Sequence, residues 1–185
     1  MSEARRNERI CFYLSASLAN AAINLKLRDS FPADRFEVIL PQEFAPVGIN
    51  HPRFPVEIYQ KCVAEMLRCD AGLLLLDAFG IDCAWESGWF SGHGKPIIGI
   101  AASSTQFLRH WMVKGSLAAV ICLDDVVFGA VSADPILGRV PTLRAESWTD
   151  LPKTLLSFLE PQVLTATGSP VPRGEATWIR NRPNS

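Results

Sequence analysis

The chain has 185 residues, 48% of them hydrophobic, with 18 basic against 19 acidic side chains and a formal net charge of −1. That length suits one domain of ordinary size, with or without a short appendage, and can bury a core without metal or disulfide staples. The composition excludes disorder throughout, and the balanced charge lacks the basic stripe of a nucleic-acid binder. The longest apolar runs, such as Leu73–Leu76, fall far short of the ~20 residues of a spanning helix, so no membrane partner is expected.

Arg5, Arg6 and Arg9 precede an apolar run, but Ser15 and Ser17 break that run and Asn20 and Asn24 follow, which does not read as a signal peptide. The five cysteines are odd in number, widely spaced and set mostly in apolar segments, with no Cys-x-x-Cys pair. Small buried hydrophobes in a reducing, cytoplasmic setting are the expectation. Neither the cysteines nor the three scattered histidines have metal-ligand spacing.

In chain order, Ile10–Leu14 reads as a strand, and a stretch with Leu18, Ala21, Ala22, Leu25 and Leu27 at helical spacings ends near Ser30. Phe36–Leu40 is a second strand stopped by Pro41. Residues 41–55 hold four prolines with Gly48 and Asn50, and read as a loop able to cover a cleft. A helix from about Val56 to Arg68 carries the stripe Ile58, Cys62, Val63, Met66 and Leu67. Ala71–Leu76 is nearly continuous Leu, as a strand buried on both faces requires. A small helix over Trp85–His93, a strand over Lys95–Ile100, a helix over Ser103–Val113 and a strand over Leu117–Leu123 follow. Thr149 or Asp150 can cap a helix from Leu151 to Leu159.

Strands alternating with helices predict an α/β, three-layer, doubly wound fold, flavodoxin-like, with a five-stranded parallel sheet and ligands at the carboxyl ends of the strands. The domain is expected over 1–160. The Pro- and Arg-containing stretch 161–185 is expected to be a C-terminal tail.

Three strand ends then converge. They bring Tyr13 with Ser15–Ser17, then Pro41-Gln42-Glu43, then Asp77 with the segment from Asp82 to Gly88. With the helix expected from Trp85, Asp82 is placed in the loop or at the cap and Glu86 points into the cleft near the helix N-terminus; a helix that begins before Asp82 would instead put the two on one face. Helix-end donors would keep Glu86 ionised unless burial offset them. Paired carboxylates beside a polar loop suit chemistry at a sugar's anomeric carbon. The structural alternative is a turn-capping Asp77, a helix-capping Asp82 and a Glu86 paired with Lys95.

The block Asp70-Ala71 with the following Leu run, then Leu76-Asp77-Ala78-Phe79-Gly80-Ile81-Asp82-Cys83-Ala84-Trp85-Glu86-Ser87-Gly88, then Gly94-Lys95-Pro96-Ile97-Ile98, resembles the nucleoside 2-deoxyribosyltransferase family and the related nucleotide N-glycosidases. Phe12-Tyr13-Leu14-Ser15-Ala16-Ser17 and Leu40-Pro41-Gln42 extend the similarity over roughly 8–123. The resemblance implies that Glu86 is a nucleophile forming a covalent glycosyl intermediate. It implies that Asp77 holds sugar hydroxyls and orients Glu86, and that Asp82 assists proton transfer. It places Gln42 against the base and Tyr13 beside the nucleophile or sugar. From the residues themselves, Ser15 and Ser17 are candidates to hold a phosphate, Phe79 is expected from its loop position to line the base pocket, and Gly80 to let that loop turn. No cofactor is implied. A nucleoside or nucleotide partner is, together with a homo-oligomer whose cross-subunit residues have no clear counterpart in 124–147. The chain departs from the family's Asp-x-Gly-Thr-x-x-Glu spacing, since Asp82 and Glu86 are four apart and no Gly-Thr pair lies between them. It also lacks an Arg after Ser17, which favours a nucleoside over a 5′-phosphate.

The expected reaction is N-glycosidic bond cleavage with transfer to another base or to water. The alternatives are a weakly active or inactive nucleoside or nucleotide sensor, and a hydrolase of a 5′-nucleotide or nicotinamide dinucleotide. Trp85 and Trp89, four apart, are expected to share a helix face. His93 is expected at a helix end, His51 in the Pro-rich loop, and Cys83 beside the site without a histidine to activate it.

Overall fold

A computed structural model describes residues 9–44, 54–77 and 79–166. Six strands make one sheet: β1 (Ile10–Ser15), β2 (Phe36–Ile39), β3 (Ala71–Leu75), β4 (Ile97–Ala101), β5 (Ala119–Cys122) and β6 (Thr142–Arg144). Their order is β2-β1-β3-β4-β5-β6, and every pairing is parallel. The helices are α1 (Ala21–Asp29), α2 (Phe54–Arg68), α3 (Ile81–Gly92), α4 (Trp111–Ser116), α5 (Asp125–Ala133) and α6 (Leu151–Ala166).

The architecture is the expected three-layer, doubly wound α/β fold, and its five expected strands are joined at one edge by a sixth. Alternation along β1 separates the two cores. Cys11 and Tyr13 face a cluster with Met66, Cys83, Phe90, Val113 and Val127, contributed by α2 to α5. Phe12 and Leu14 face the opposite cluster with Leu27, Leu151 and Leu155, from α1 and α6. β3 is buried at all five positions, which is why it reads as uninterrupted apolar sequence. The edge strand β6 is half-buried throughout.

Several boundaries shift. α3 starts at Ile81, four residues before the expected Trp85, because Gly80 serves as its N-cap in an extended conformation. The expected helix over Ser103–Val113 is a 3-10 turn at Gln106–Arg109 followed by the short α4. α6 runs on to Ala166. The rest of the expected C-terminal tail, 167–185, lies outside the described residues, as does His51 with most of the Pro-rich loop.

α5 and β6 are additional to the expected elements. Asp124 caps α5, its Oδ1 accepting from Val126 N at 2.9 Å and Val127 N at 3.0 Å, and Val127 and Val131 bury one turn apart. β6 is only three residues long, too short to show a period of two. Replacing Asp124 with Ala removes that cap and is expected to lower stability by about 1 kcal/mol, read as a reduced urea midpoint with unchanged slope.

Lys95 does not pair with Glu86. Its ammonium donates to the carbonyls of Met66, Leu67 and Cys69, neutralising the negative end of α2. The adjoining Gly94 has φ 67, a left-handed turn that glycine adopts without strain, so the Gly-Lys-Pro segment serves the junction of α3, α2 and β4. Gly80, by contrast, has φ −97, so its turn does not use glycine's extra freedom.

Candidate active site

The sheet order reverses between β1 and β3, which run side by side but lead to helices on opposite faces, and the crevice at their carboxyl ends is where ligands bind in open α/β sheets. The buried stripe of α3 is Cys83, Glu86, Ser87 and Phe90, a helical i, i+3, i+4, i+7 pattern with a carboxylate at its second position. Tyr13 and Ser15, two apart on β1, face that stripe.

Both oxygens of Glu86 are held. Tyr13 Oη donates to Oε1 at 2.6 Å, and Ser15 Oγ donates to Oε2 at 2.5 Å. Glu86 is 8% exposed, while Tyr13 and Ser15 are fully buried. Burial pushes the Glu86 carboxyl above its ordinary value of 4.5, the two hydroxyl donors pull the other way, and the Asp82 charge adds to the rise. The expected helix-end donors are absent from this balance: Glu86 lies more than a turn inside α3, and hydroxyls from β1 replace backbone N–H groups. Tyr13 itself is pushed strongly up, chiefly by burial and next by the Glu86 charge, so it remains a donor.

Asp82 lies in the first turn of α3, exposed and one turn before Glu86 on the same helix. The expected placement of Asp82 in the loop or at the cap is thus corrected: the helix begins at Ile81 with Gly80 as cap, and the alternative, two carboxylates one turn apart on α3, holds.

Asp77 has a different set of partners from the one expected. Its Oδ2 accepts from Ala102 N at 2.6 Å, and its Oδ1 accepts from Ser103 N at 2.8 Å, Ser103 Oγ at 3.0 Å and Ser104 N at 2.8 Å. The carboxylate thus organises the loop after β4. The orientation of Glu86 that the resemblance assigned to Asp77 comes from Tyr13 and Ser15.

Gln42 is also engaged. Its Oε1 accepts from Asn24 Nδ2 at 2.9 Å, and its Nε2 donates to Ala21 O at 3.3 Å. Asn24 is 2% exposed and also donates to Ser17 O at 3.1 Å, while Asn20 donates to Asp77 O at 3.2 Å. These two asparagines tie together the loops after β1, β2 and β3. Neither was expected at the site; their only signal in the sequence is a pair of amides four apart beside a strand end. Phe79 is half-buried, with the His110 ring edge-on at 5.0 Å.

Cys83 is buried and its thiol is pushed up by that burial, which disfavours the nucleophilic thiolate. Trp85 is partly exposed beside Tyr59, with ring centroids 5.9 Å apart, and Trp89 stacks on His93 at 3.8 Å. His93 is the C-cap of α3. Among the described residues, no group of three or more His, Cys, Asp or Glu side chains could hold a metal ion, and no helix is long and apolar enough to cross a membrane.

Tyr13→Phe tests the carboxylate's environment. Loss of a donor that lowers the Glu86 pKa is expected to move its titration further up, read by carbon-13 NMR of labelled Glu side chains. A titration that stays in place would mean the 2.6 Å bond does not favour the charged form.

No protein-family model and no curated protein matches the chain. Solved structures do. A conserved protein from Enterococcus faecalis V583 is 17% identical with a TM-score of 0.51, and the match covers 82% of this chain and 100% of that one. The 2-deoxyribosyltransferase of the psychrotolerant bacterium Bacillus psychrosaccharolyticus is 18% identical with a TM-score of 0.53, covering 80% of this chain and 95% of that one. The chain therefore shares its fold, at a distance, with a nucleoside 2-deoxyribosyltransferase, and holds a buried acidic residue in the crevice where that fold places ligands.

Proposed function

We propose that this protein cleaves the N-glycosidic bond of a nucleoside or deoxynucleoside, with Glu86 as nucleophile. The observation that carries the reading is the buried Glu86 carboxylate held at both oxygens by Tyr13 and Ser15, at the switch point of a fold shared with a 2-deoxyribosyltransferase. A carboxylate of a structural ion pair would face a cation; this one faces two hydroxyls, which fix its direction and leave it its charge.

In the first step a Glu86 oxygen attacks the anomeric carbon, the carbon–nitrogen bond breaks, and its electron pair leaves with the base. Asp82, one turn away and exposed, is the group assigned to assist proton transfer to the departing base, the proton itself coming from solvent. In the second step a nitrogen of another base, or water, attacks the same carbon and releases Glu86 as carboxylate, with retained configuration and with the acceptor's proton returning to Asp82 or solvent. Gln42 and Phe79 are assigned to the base. Asp77 is assigned to the sugar end through the loop it organises, and Ser17 and Gly80 to the walls of the crevice. No cofactor takes part. Glu86 must be ionised to attack, so activity is expected to fall with falling pH through a midpoint above 4.5.

The homo-oligomer implied by the resemblance belongs to this proposal. Exposed Ile81, Trp111 and Met112 on α3 and α4 supply apolar surface for it.

The test is base release followed by liquid chromatography over nucleosides, deoxynucleosides, their 5′-monophosphates and a nicotinamide dinucleotide, each with and without a second free base. Release from a nucleoside supports the reading, and a new nucleoside formed only with acceptor identifies transfer. Saturable binding of one ligand without turnover would replace the enzyme with a sensor.

A further inference from the structure

Cys11 and Cys69 are 58 residues apart in the chain, yet their sulfurs lie 3.0 Å apart in the interior. Burial as small hydrophobes explains where the two residues are, but not why their sulfurs meet. Cys11 is the second residue of β1, and Cys69 is the first residue after α2. The backbone between the two elements is clamped around Asp70, whose N donates to Cys11 O at 2.8 Å while its Oδ2 accepts from Cys11 N at 2.9 Å. The Lys95 ammonium holds Cys69 from the other side, at its carbonyl. Both thiols are free, with Cys11 6% exposed and Cys69 1%. A disulfide bond is about 2.05 Å long, so the sulfurs need approach by only about one ångström.

We propose that Cys11 and Cys69 form a modification site, a dithiol that a hydroperoxide converts to a disulfide within the native fold, stapling the C-terminal end of α2 to β1. The reading of Glu86 plays no part in this. Cys11 is the attacking sulfur: it is the less buried of the two, and its thiol is pulled below its ordinary value, first by the hydrogen bond it shares with Cys69 and further by the Arg68 charge, against the effect of burial. Cys69 is pushed up by that same bond and by burial, so it begins as the thiol.

The Cys11 thiolate attacks one peroxide oxygen. The O–O bond breaks, Cys11 becomes a sulfenic acid, and the departing oxygen takes a proton and leaves as water or an alcohol. Cys69 then loses its proton and attacks the Cys11 sulfur; the S–S bond forms, the S–O bond breaks, and the sulfenic oxygen leaves as water. Two thiols are oxidised by two electrons, and one peroxide is reduced. The staple sits at the amino end of β1, away from Ser15 at its carboxyl end, so the hydrogen bonds to Glu86 are expected to persist.

The experiment uses the full chain, reduced and then treated with stoichiometric hydrogen peroxide, alkylated after denaturation, and mapped by peptide mass without reduction. Two of the five thiols should resist alkylation, and one linked peptide should join Cys11 to Cys69 and disappear on adding dithiothreitol. The oxidised protein should keep its circular dichroism and melt about 5–10 °C higher. Cys11→Ser and Cys69→Ser should each abolish the linked peptide; should either fail to fold, the wild-type map decides alone. A link between other cysteines, oxygenated Cys11 without a link, or a link that lowers the melting temperature would overturn the proposal.

Discussion

Glu86→Gln is expected to lower base release by about 10³-fold or more while raising the melting temperature at pH 7. The two effects share one cause. An amide has no charge with which to attack the anomeric carbon, so the covalent route closes, although Gln keeps the size of the side chain in the crevice. The stability effect follows from burial. Glu86 has a folded-state pKa raised above its ordinary 4.5, so the folded state binds the proton more tightly than the unfolded state does. The resulting stabilisation is fully present below about 4.5 and is lost as pH rises through the higher folded value. Above that value the protein carries a desolvated carboxylate that Gln does not impose. The gap in melting temperature between variant and wild type should therefore be positive at pH 7 and shrink as pH approaches 4. Calorimetry at a series of pH values measures it. A variant less stable than wild type at pH 7 would mean that the Tyr13 and Ser15 hydrogen bonds outweigh the desolvation. Base release that survives in the variant would remove Glu86 as nucleophile whatever the stability result.

Asp77→Ala is expected to destabilise the fold by about 2–4 kcal/mol. Four hydrogen bonds end on this carboxylate, three of them from consecutive backbone N–H groups of 102–104. Bonds to a charged acceptor contribute about 1.5–3 kcal/mol each when buried. The loop is partly exposed, so water replaces some of them and the sum falls well below the additive figure. Asp77→Asn should lose less, since one oxygen can still accept at Ser103 and Ser104 while its NH2 opposes the Ala102 N–H. Urea unfolding and hydrogen exchange at 102–104 read both variants. The same pair separates two roles. Activity lost in proportion to exchange protection assigns Asp77 to the loop; activity lost in Asp77→Asn with protection intact assigns it to the substrate's hydroxyls.

Much of the fold was legible because it is written locally. The Leu run of β3 announces a strand buried on both faces, and the stripe Cys62, Val63 and Met66 announces α2, since in each case one residue's neighbours in the chain set its environment. Where local signals were thin, the elements were missed. β6 has three residues, and α5 has a good cap at Asp124 but only two buried valines. The candidate site divides along the same line. Glu86 stood out as one of two carboxylates four apart beyond a strand end, and Tyr13 and Ser15 as residues at the end of a strand. Their roles came from distances across the chain that no spacing encodes: 73 residues from Tyr13 to Glu86 and 25 from Asp77 to Ala102. Asp77 shows the consequence. Its position after β3 was readable, but a carboxylate binds whichever donors the packed loops present, and here three of the four are backbone amides, which carry no side-chain signature. Cys11 and Cys69 show it again, because each is an unremarkable apolar residue until parallel pairing of β1 and β3 brings the end of α2 against the start of β1. Local sequence sets the elements and their buried faces; the meeting of side chains depends on sheet order and loop closure, which arise only when the whole chain packs.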